Sequence, residues 1–392
     1  MQRTILLFDV DGVLIRSGGY REALRATLDY FTTRMGQPSL GVTDNEIALF
    51  EACGMTNEWD SIPLAVSIML VNALSERPDL VRDNLADTMA AIRESGIRLA
   101  RPDFAPLAHE VMAQEPSGAR PNPALLPVMR THADRTIHHL LDELLGNVNS
   151  VHTPTTHIFQ NYVLGSERFT QTYKMPAEME TESYLIKYDK SHILPEMTRR
   201  LLDRVAAEGW YMTVFSARPS LPPTDLSPAD YQPANPKLYP PEGELAAELL
   251  GLNGRTPFIT WGRVAWLAEK HGKEMGYYVK PSPVHALASI GAALTGQEVA
   301  SLEAAYTFVE QERVTGPLTE LESSPVRVVV FEDAVPGIWA GQRAVERLRR
   351  AGLDVTFEGV GISSEANKKE TLRAIAGFVA DDINEALERY LM

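Results

Sequence analysis

From about residue 192 onward the chain alternates between two textures, and that alternation leaves few folds open. Stretches such as PEMTRRLLDRVAAEG, ELAAELLG, RVAWLAEKHG, HALASIGAALTG and GIWAGQRAVERLRRAG carry apolar residues at helical spacing. Between helical stretches lie short runs that are apolar throughout: WYMTVFS, RVVVFED, VTFEGVG and FVAD. A strand that is apolar on every residue has both faces buried, as strands of a parallel sheet do. Parallel neighbours need long crossovers, usually helices. The pattern therefore predicts an α/β fold, a parallel sheet with helices on both faces. The first ten residues supply one more such strand, TILLFD.

Between about Tyr20 and Ser191 the texture differs. YREALRATLDYFTTRMG, IPLAVSIMLVNALSE, DNLADTMAAIRESG and ADRTIHHLLDELLG are helical in period and punctuated by proline and glycine. At 392 residues the chain exceeds one ordinary core. The expected division is a sheet domain from 1–17 and 192–392, with an all-helical domain, 18–191, inserted into it. A proline-rich stretch at about 219–243 reads as an extended loop in the sheet domain. Such loops suit partner binding; an insertion tolerated at the site's edge is the plainer reading.

The net charge is 37 − 52 = −15, which argues against nucleic acid or an anionic membrane surface as the main partner. No run is long enough to span a membrane. The first apolar run is short and ends in acids, unlike a signal peptide. The single cysteine, Cys53, allows no disulfide within the chain and reads as a small core residue rather than a nucleophile. The expected compartment is the cytoplasm, for a monomer or homodimer.

In an open parallel sheet, ligands bind at the carboxyl ends of the strands. TILLFD ends on Asp9, and Asp11 and Gly12 follow. RVVVFED ends on Glu332 and Asp333. If these strands are neighbours, four acids converge, and a hard cation such as Mg²⁺ with oxygen ligands relieves their repulsion. Ser216 stands at another strand end, in TVFSARPS, where its hydroxyl and the adjoining backbone N–H groups, Ala217 included, can hold an anion. Lys280, in YYVKPSP, supplies a fixed cation. Acids, a metal, a hydroxyl and a lysine suit phosphoryl transfer, which is largely positioning and charge neutralisation. One carboxylate can attack phosphorus, and a second can move the proton. Gly12 lets the chain turn sharply off the strand.

DVDGVL, FSARPS, VKPS and FEDAVPGI together resemble, in order, the four motifs of the haloacid-dehalogenase-like (HAD) hydrolase superfamily. The resemblance covers roughly 1–17 and 192–392, and it implies a Rossmann-like core with an inserted helical cap. It also implies Asp9 as nucleophile and metal ligand, and Asp11 as general acid and base that lends the metal its backbone carbonyl. Ser216 and Lys280 would hold the transferring group, and Asp333 with Glu332 would complete the Mg²⁺ site. Asp11 favours phosphate-ester chemistry, since halide-displacing members are expected to lack an acid there. EDAVPGI has Gly337 where some members place a further Asp. It looks like the version found in phosphoglycolate-phosphatase-like and β-phosphoglucomutase-like members, and the ligation by Glu332 stays open.

The expected function is therefore Mg²⁺-dependent hydrolysis of a small phosphorylated metabolite, a sugar phosphate or phosphoglycolate-like compound, through an aspartyl-phosphate. The alternatives are a phosphomutase using the same residues, or a catalytically silent binder. In the inserted segment, FEACGMTNEWDS raises two readings. Asn57, Trp59 and Asp60 contact substrate, or Thr56, Asn57 or Asp60 caps a helix and Trp59 plugs a core. FQNYVLGSERF, with Gln160, Asn161, Tyr162 and Arg168, reads as a structural helix before a substrate wall. His132, His138, His139, His152 and His157 lack metal-type spacing. Arg218 either orients its loop or meets a phosphate; Arg16 either touches substrate or faces solvent. Arg343, Arg347, Arg349 and Arg350 read as a solvated helix face.

Overall fold

The computed structural model describes residues 2–391 apart from 53, 54, 56, 116–121 and 208. The chain divides into two compact units, Met1–Ser17 with Asp189–Met392, and Gly18–Tyr188. Among the described residues the first holds eight strands: β1 (Arg3–Phe8), β2 (Ile15–Arg16), β3 (Lys190–Ser191), β4 (Trp210–Phe215), β5 (Phe258–Ile259), β6 (Val326–Glu332), β7 (Val355–Ile362) and β8 (Phe378–Ala380). Six of them form one sheet in the order β5-β4-β1-β6-β7-β8, with every pairing parallel. β1, the first strand in sequence, is central: Leu6 faces Met212 of β4 on one side and Val329 of β6 on the other.

Side chains on successive strand residues point to opposite faces, and here they build two cores. Ile5 and Leu7 join Phe215, Val328 and Val330 on one face, under the helices Trp261–Lys270, Pro283–Thr295, Glu298–Gln311 and Val335–Arg350. Leu6 and Phe8 join Met212, Val214, Val329 and Phe331 on the other, under Pro195–Val205, Glu242–Leu249 and Ile383–Leu391. Phe8 and Phe331 stack at 4.6 Å. Burial on both faces is why these runs are apolar throughout. β5, only two residues long, is too short to stand out in the sequence.

β2 and β3 make a small antiparallel ribbon, Ile15 opposite Ser191 and Arg16 opposite Lys190. The His192 N–H donates to the Leu14 carbonyl at 2.8 Å. This pairing draws Asp189, Lys190 and Ser191 into the sheet unit, so the structural boundary falls earlier than the one read at 192.

The proline-rich loop is held along its length. Ser220 is fully buried, and its hydroxyl accepts from the Gly262 N–H at 3.0 Å and from the Thr260 hydroxyl at 2.6 Å. Thr224 donates its N–H to Glu298 at 2.8 Å. The Trp266 indole N–H donates to the Tyr231 carbonyl at 2.9 Å. Tyr239 donates to Glu269 at 2.7 Å, and the Ala234 N–H reaches the same carboxylate. Arg263 is buried beneath the loop. It donates to the Leu221 carbonyl at 2.8 Å and pairs with Glu244 and Glu298.

The unit Gly18–Tyr188 contains no strand among the described residues. Its longest helix, Glu58–Glu76, is buried over most of its length, as expected of a helix apolar on all sides. Among the described residues no helix is long and apolar enough to cross a membrane.

Candidate active site

The strand order sets the site. With β1 between β4 and β6, the carboxyl ends of these three strands are adjacent, and they carry Asp9, Ser216 and Glu332. The Asp9 N–H donates to the Phe331 carbonyl at 3.0 Å, which carries the pairing one residue past the strand. Asp9, Glu332 and Asp333 each offer a carboxylate oxygen, and these oxygens lie within 4.8 Å of one another. Asp9 and Glu332 are buried.

Lys280 reaches into this cluster from the turn before the helix Pro283–Thr295. Its Nζ donates to Asp9 Oδ1 at 2.8 Å and also to Glu332. The ammonium lies 4.3 Å from the Phe215 ring centroid, and the side chain is 7% exposed. Burial alone would lower the Lys280 pKa; the Asp9 and Glu332 charges overcome it and hold the amine above its usual value. Burial, then Asp9, pushes Glu332 well above the carboxylate range despite Lys280. The same two causes bring Asp333 up to about 6, against the pull of Lys368. The cluster thus holds more carboxylate charge than its own cations offset. A hard divalent cation with oxygen ligands fits that donor set.

Two glycines make room for the acids. Gly12 has φ +79°, and a Cβ there would run into the Asp333 carboxylate. A Cβ at Gly337 would meet the Glu332 carboxylate, whose other oxygen accepts from the Ala334 N–H at 3.2 Å. The glycine read as a departure in EDAVPGI is thus what gives Glu332 its space.

His285 fixes the lysine turn. Its Nδ1 accepts from the Lys280 N–H at 3.3 Å, so the ring proton sits on Nε2, which faces the Ile259 carbonyl at 2.8 Å. Burial, then the Lys280 charge, lowers the His285 pKa to about 3.

Ser216 is 1% exposed; its N–H donates to the Ile259 carbonyl and its Oγ accepts from the Arg218 N–H, both at 3.3 Å. Ala217 is exposed. The Asp11 carboxylate stands outside the three-acid set. It accepts from the Ser17 hydroxyl and from two nitrogens of Arg218, with Nε to Oδ2 at 3.1 Å. Arg218 Nη2 also donates to Asp189 at 3.0 Å. Burial would raise the Asp11 pKa, but Arg218, with Ser17 and Lys280, brings it below the usual value.

Of these partners, Asp189 and Lys368 were not read from sequence. Arg218 was left between two roles, and Asp189 sits in DKSH, which carries no local signal. Lys368, 3.3 Å from Asp333, follows β7 in GISSEANKKE; a strand end was the available clue.

In the helical unit Asn57 caps the helix Glu58–Glu76, its Oδ1 accepting from the Trp59 N–H at 2.9 Å. Asp60 is fully buried and accepts from the Asn122 N–H at 2.9 Å. Trp59 is half-buried. Cys53 and Thr56 lie outside the described residues. Gln160 and Asn161 are buried, and Asn161 holds the Glu178 and Met179 N–H groups. His132 pairs with Glu110 and His139 with the Arg82 carbonyl. Among the described residues the three-acid set is the one group of metal-ligating side chains.

No protein-family profile matches the chain, and no curated protein matches it. Solved structures do. An X-ray structure of a Northeast Structural Genomics Consortium target aligns over 100% of this chain and 98% of its own, with a TM-score of 0.65 at 16% identity. At that identity the likeness is one of fold. Phosphatase Tt82 from Thermococcus thioreducens aligns over 99% of this chain and 98% of its own, with a TM-score of 0.43 at 15% identity. A magnesium-bound crystal structure of YfnB from Bacillus subtilis, named as a HAD-hydrolase, aligns over the whole of both chains with a TM-score of 0.32 at 10% identity.

Proposed function

We propose that the chain is a Mg²⁺-dependent phosphohydrolase of the haloacid-dehalogenase-like superfamily, acting on a small phosphorylated metabolite through an aspartyl-phosphate on Asp9. One observation carries the reading: Lys280 reaches Asp9 and Glu332, beside Asp333, at adjoining strand ends. Acids from two separate motifs and the lysine of a third thus meet at one point.

An oxygen of Asp9 attacks phosphorus and the bond to the leaving oxygen breaks. Asp11 gives that oxygen a proton, then takes one from the water that hydrolyses the phosphoenzyme. The Ser216 hydroxyl and the Ala217 N–H orient the phosphoryl oxygens, and Lys280 offsets their charge. Asp9, Asp333 and Glu332, with the Asp11 carbonyl, would hold Mg²⁺, which supplies the positive charge that lets a phosphate dianion approach these acids.

The test is phosphate release from a broad panel of phosphorylated metabolites, with Mg²⁺ and with EDTA. Release from one substrate class is expected, abolished by EDTA and by Asp9→Asn. Turnover by Asp9→Asn at the wild-type rate would remove Asp9 as nucleophile.

A further inference from the structure

The Asp11 carboxylate is held at both oxygens, by Arg218 from a distant part of the chain and by Ser17 from nearby. The Arg218 Nε donates to Oδ2 at 3.1 Å, and its Nη2 donates to Oδ1. Two parallel N–H donors on two carboxylate oxygens fix the plane of the carboxylate as well as its position. Arg218 is itself held: its side chain is fully buried, and Asp189, 1% exposed, accepts from the same Nη2 at 3.0 Å. Its backbone is tied too, the N–H to Ser216 Oγ at 3.3 Å and the carbonyl to the Trp261 N–H at 3.2 Å. Ser17 completes the set with its hydroxyl on Oδ1. Ser17 and Asp189 are the residues at which the chain leaves and rejoins the sheet unit, beside the ribbon of β2 and β3.

We infer that Arg218 is a positioning residue for the water-activating step: it aims Asp11 at the phosphoenzyme, with Asp189 holding Arg218 from behind. This rests on the phosphohydrolase reading and deepens it. A buried guanidinium beside a phosphate-binding serine invites the other assignment, that it binds substrate phosphate. Here its Nε and Nη2 are engaged by two carboxylates of the protein instead. Asp11 accepts from Arg218 and Ser17, so it is held as an acceptor with lone pairs left for a water proton. In the step concerned, the water oxygen forms a bond to phosphorus. The bond from phosphorus to the Asp9 oxygen breaks, and its electron pair returns to the Asp9 carboxylate. The water proton passes to Asp11, and inorganic phosphate leaves.

The experiment uses 2,4-dinitrophenyl phosphate, whose leaving group departs without a proton, so Asp11 is needed only for the water step. Wild type, Asp9→Asn, Arg218→Lys, Arg218→Met and Asp189→Asn are compared by steady-state and stopped-flow release of dinitrophenolate, with thermal unfolding run on each. For both Arg218 variants, kcat is expected to fall by about tenfold or more, since a positioned general base contributes about 10²–10⁴. Their kcat/KM, which reports phosphoryl transfer to Asp9, should stay within about threefold of wild type. A burst of about one dinitrophenolate per enzyme should appear as phosphoenzyme accumulates. Asp189→Asn, which keeps its size, should shift the same way by a smaller factor, and it carries the test if the Arg218 variants do not fold. A parallel fall in kcat and kcat/KM without a burst would make Arg218 a substrate or purely structural residue and overturn the inference. So would unchanged kcat. If wild type itself releases nothing, the phosphohydrolase reading has failed; failure of the inference alone shows only in the Arg218 and Asp189 variants.

Discussion

Among single residues, His285 ties a local interaction to a global property. The folded protein keeps it neutral, with a pKa of about 3 against the ordinary 6.5, because burial and then the Lys280 charge disfavour the imidazolium. Protonation would set two donors against each other. A group whose folded pKa is depressed leaves the unfolded state binding more protons between the two values, so stability falls as pH drops through that window. The urea midpoint should decline from pH 7 to pH 5, and His285→Gln should flatten part of that decline. Parallel declines in the two proteins would mean that other groups set the acid limit. Lys280 shows the complementary case: buried between two acids, it is worth more as a partner than as an isolated charge.

At the level of elements, the longer strands were legible, and the two-residue strands β2, β3 and β5 and the long-range partners were not. TILLFD and RVVVFED announce themselves because burial on both faces leaves no polar residue until the strand ends, so the acids there stand out. Asp11 to Arg218, Arg218 to Asp189 and Asp333 to Lys368 are meetings between distant segments that no local period encodes. The proline-rich loop shows the same limit. Its composition suggests an extended segment, whereas side chains of neighbouring helices hold its backbone at Leu221, Thr224, Tyr231 and Ala234. Arg263 is the fastener, with side chains of 3% exposure on it and 5% on Glu298. Arg263→Met leaves a buried carboxylate without its cation, expected to cost about 3–5 kcal/mol. It should also open residues 219–241 to limited proteolysis. Adding Glu298→Gln should restore part of the loss; a single variant with wild-type urea midpoint would show that the pair does not hold the loop.

For the molecule as a whole, acidity and anion chemistry meet in one place. A chain of net charge −15 gathers three of its carboxylates around a site proposed to bind a phosphate. A cation that binds only the folded site stabilises it by mass action, about 2.7 kcal/mol at a hundred times its Kd. Mg²⁺ should therefore raise the unfolding temperature of the wild type in a saturable way, without any substrate present. Asp333→Asn should abolish most of that shift, and an equal shift in both proteins would place the ion elsewhere.

The central position of β1 has a consequence for how the chain is made. TILLF is synthesised well before both of its partners, Trp210–Phe215 and Val326–Glu332. An apolar strand with two unpaired edges must therefore wait while the whole helical unit is synthesised, and the sheet closes only when the C-terminal third arrives. Contacts of such long sequence separation make for slow folding. They also expose the nascent chain to aggregation during that interval. The strand that places the candidate nucleophile is thus the one that stays unpaired longest as the sheet is made.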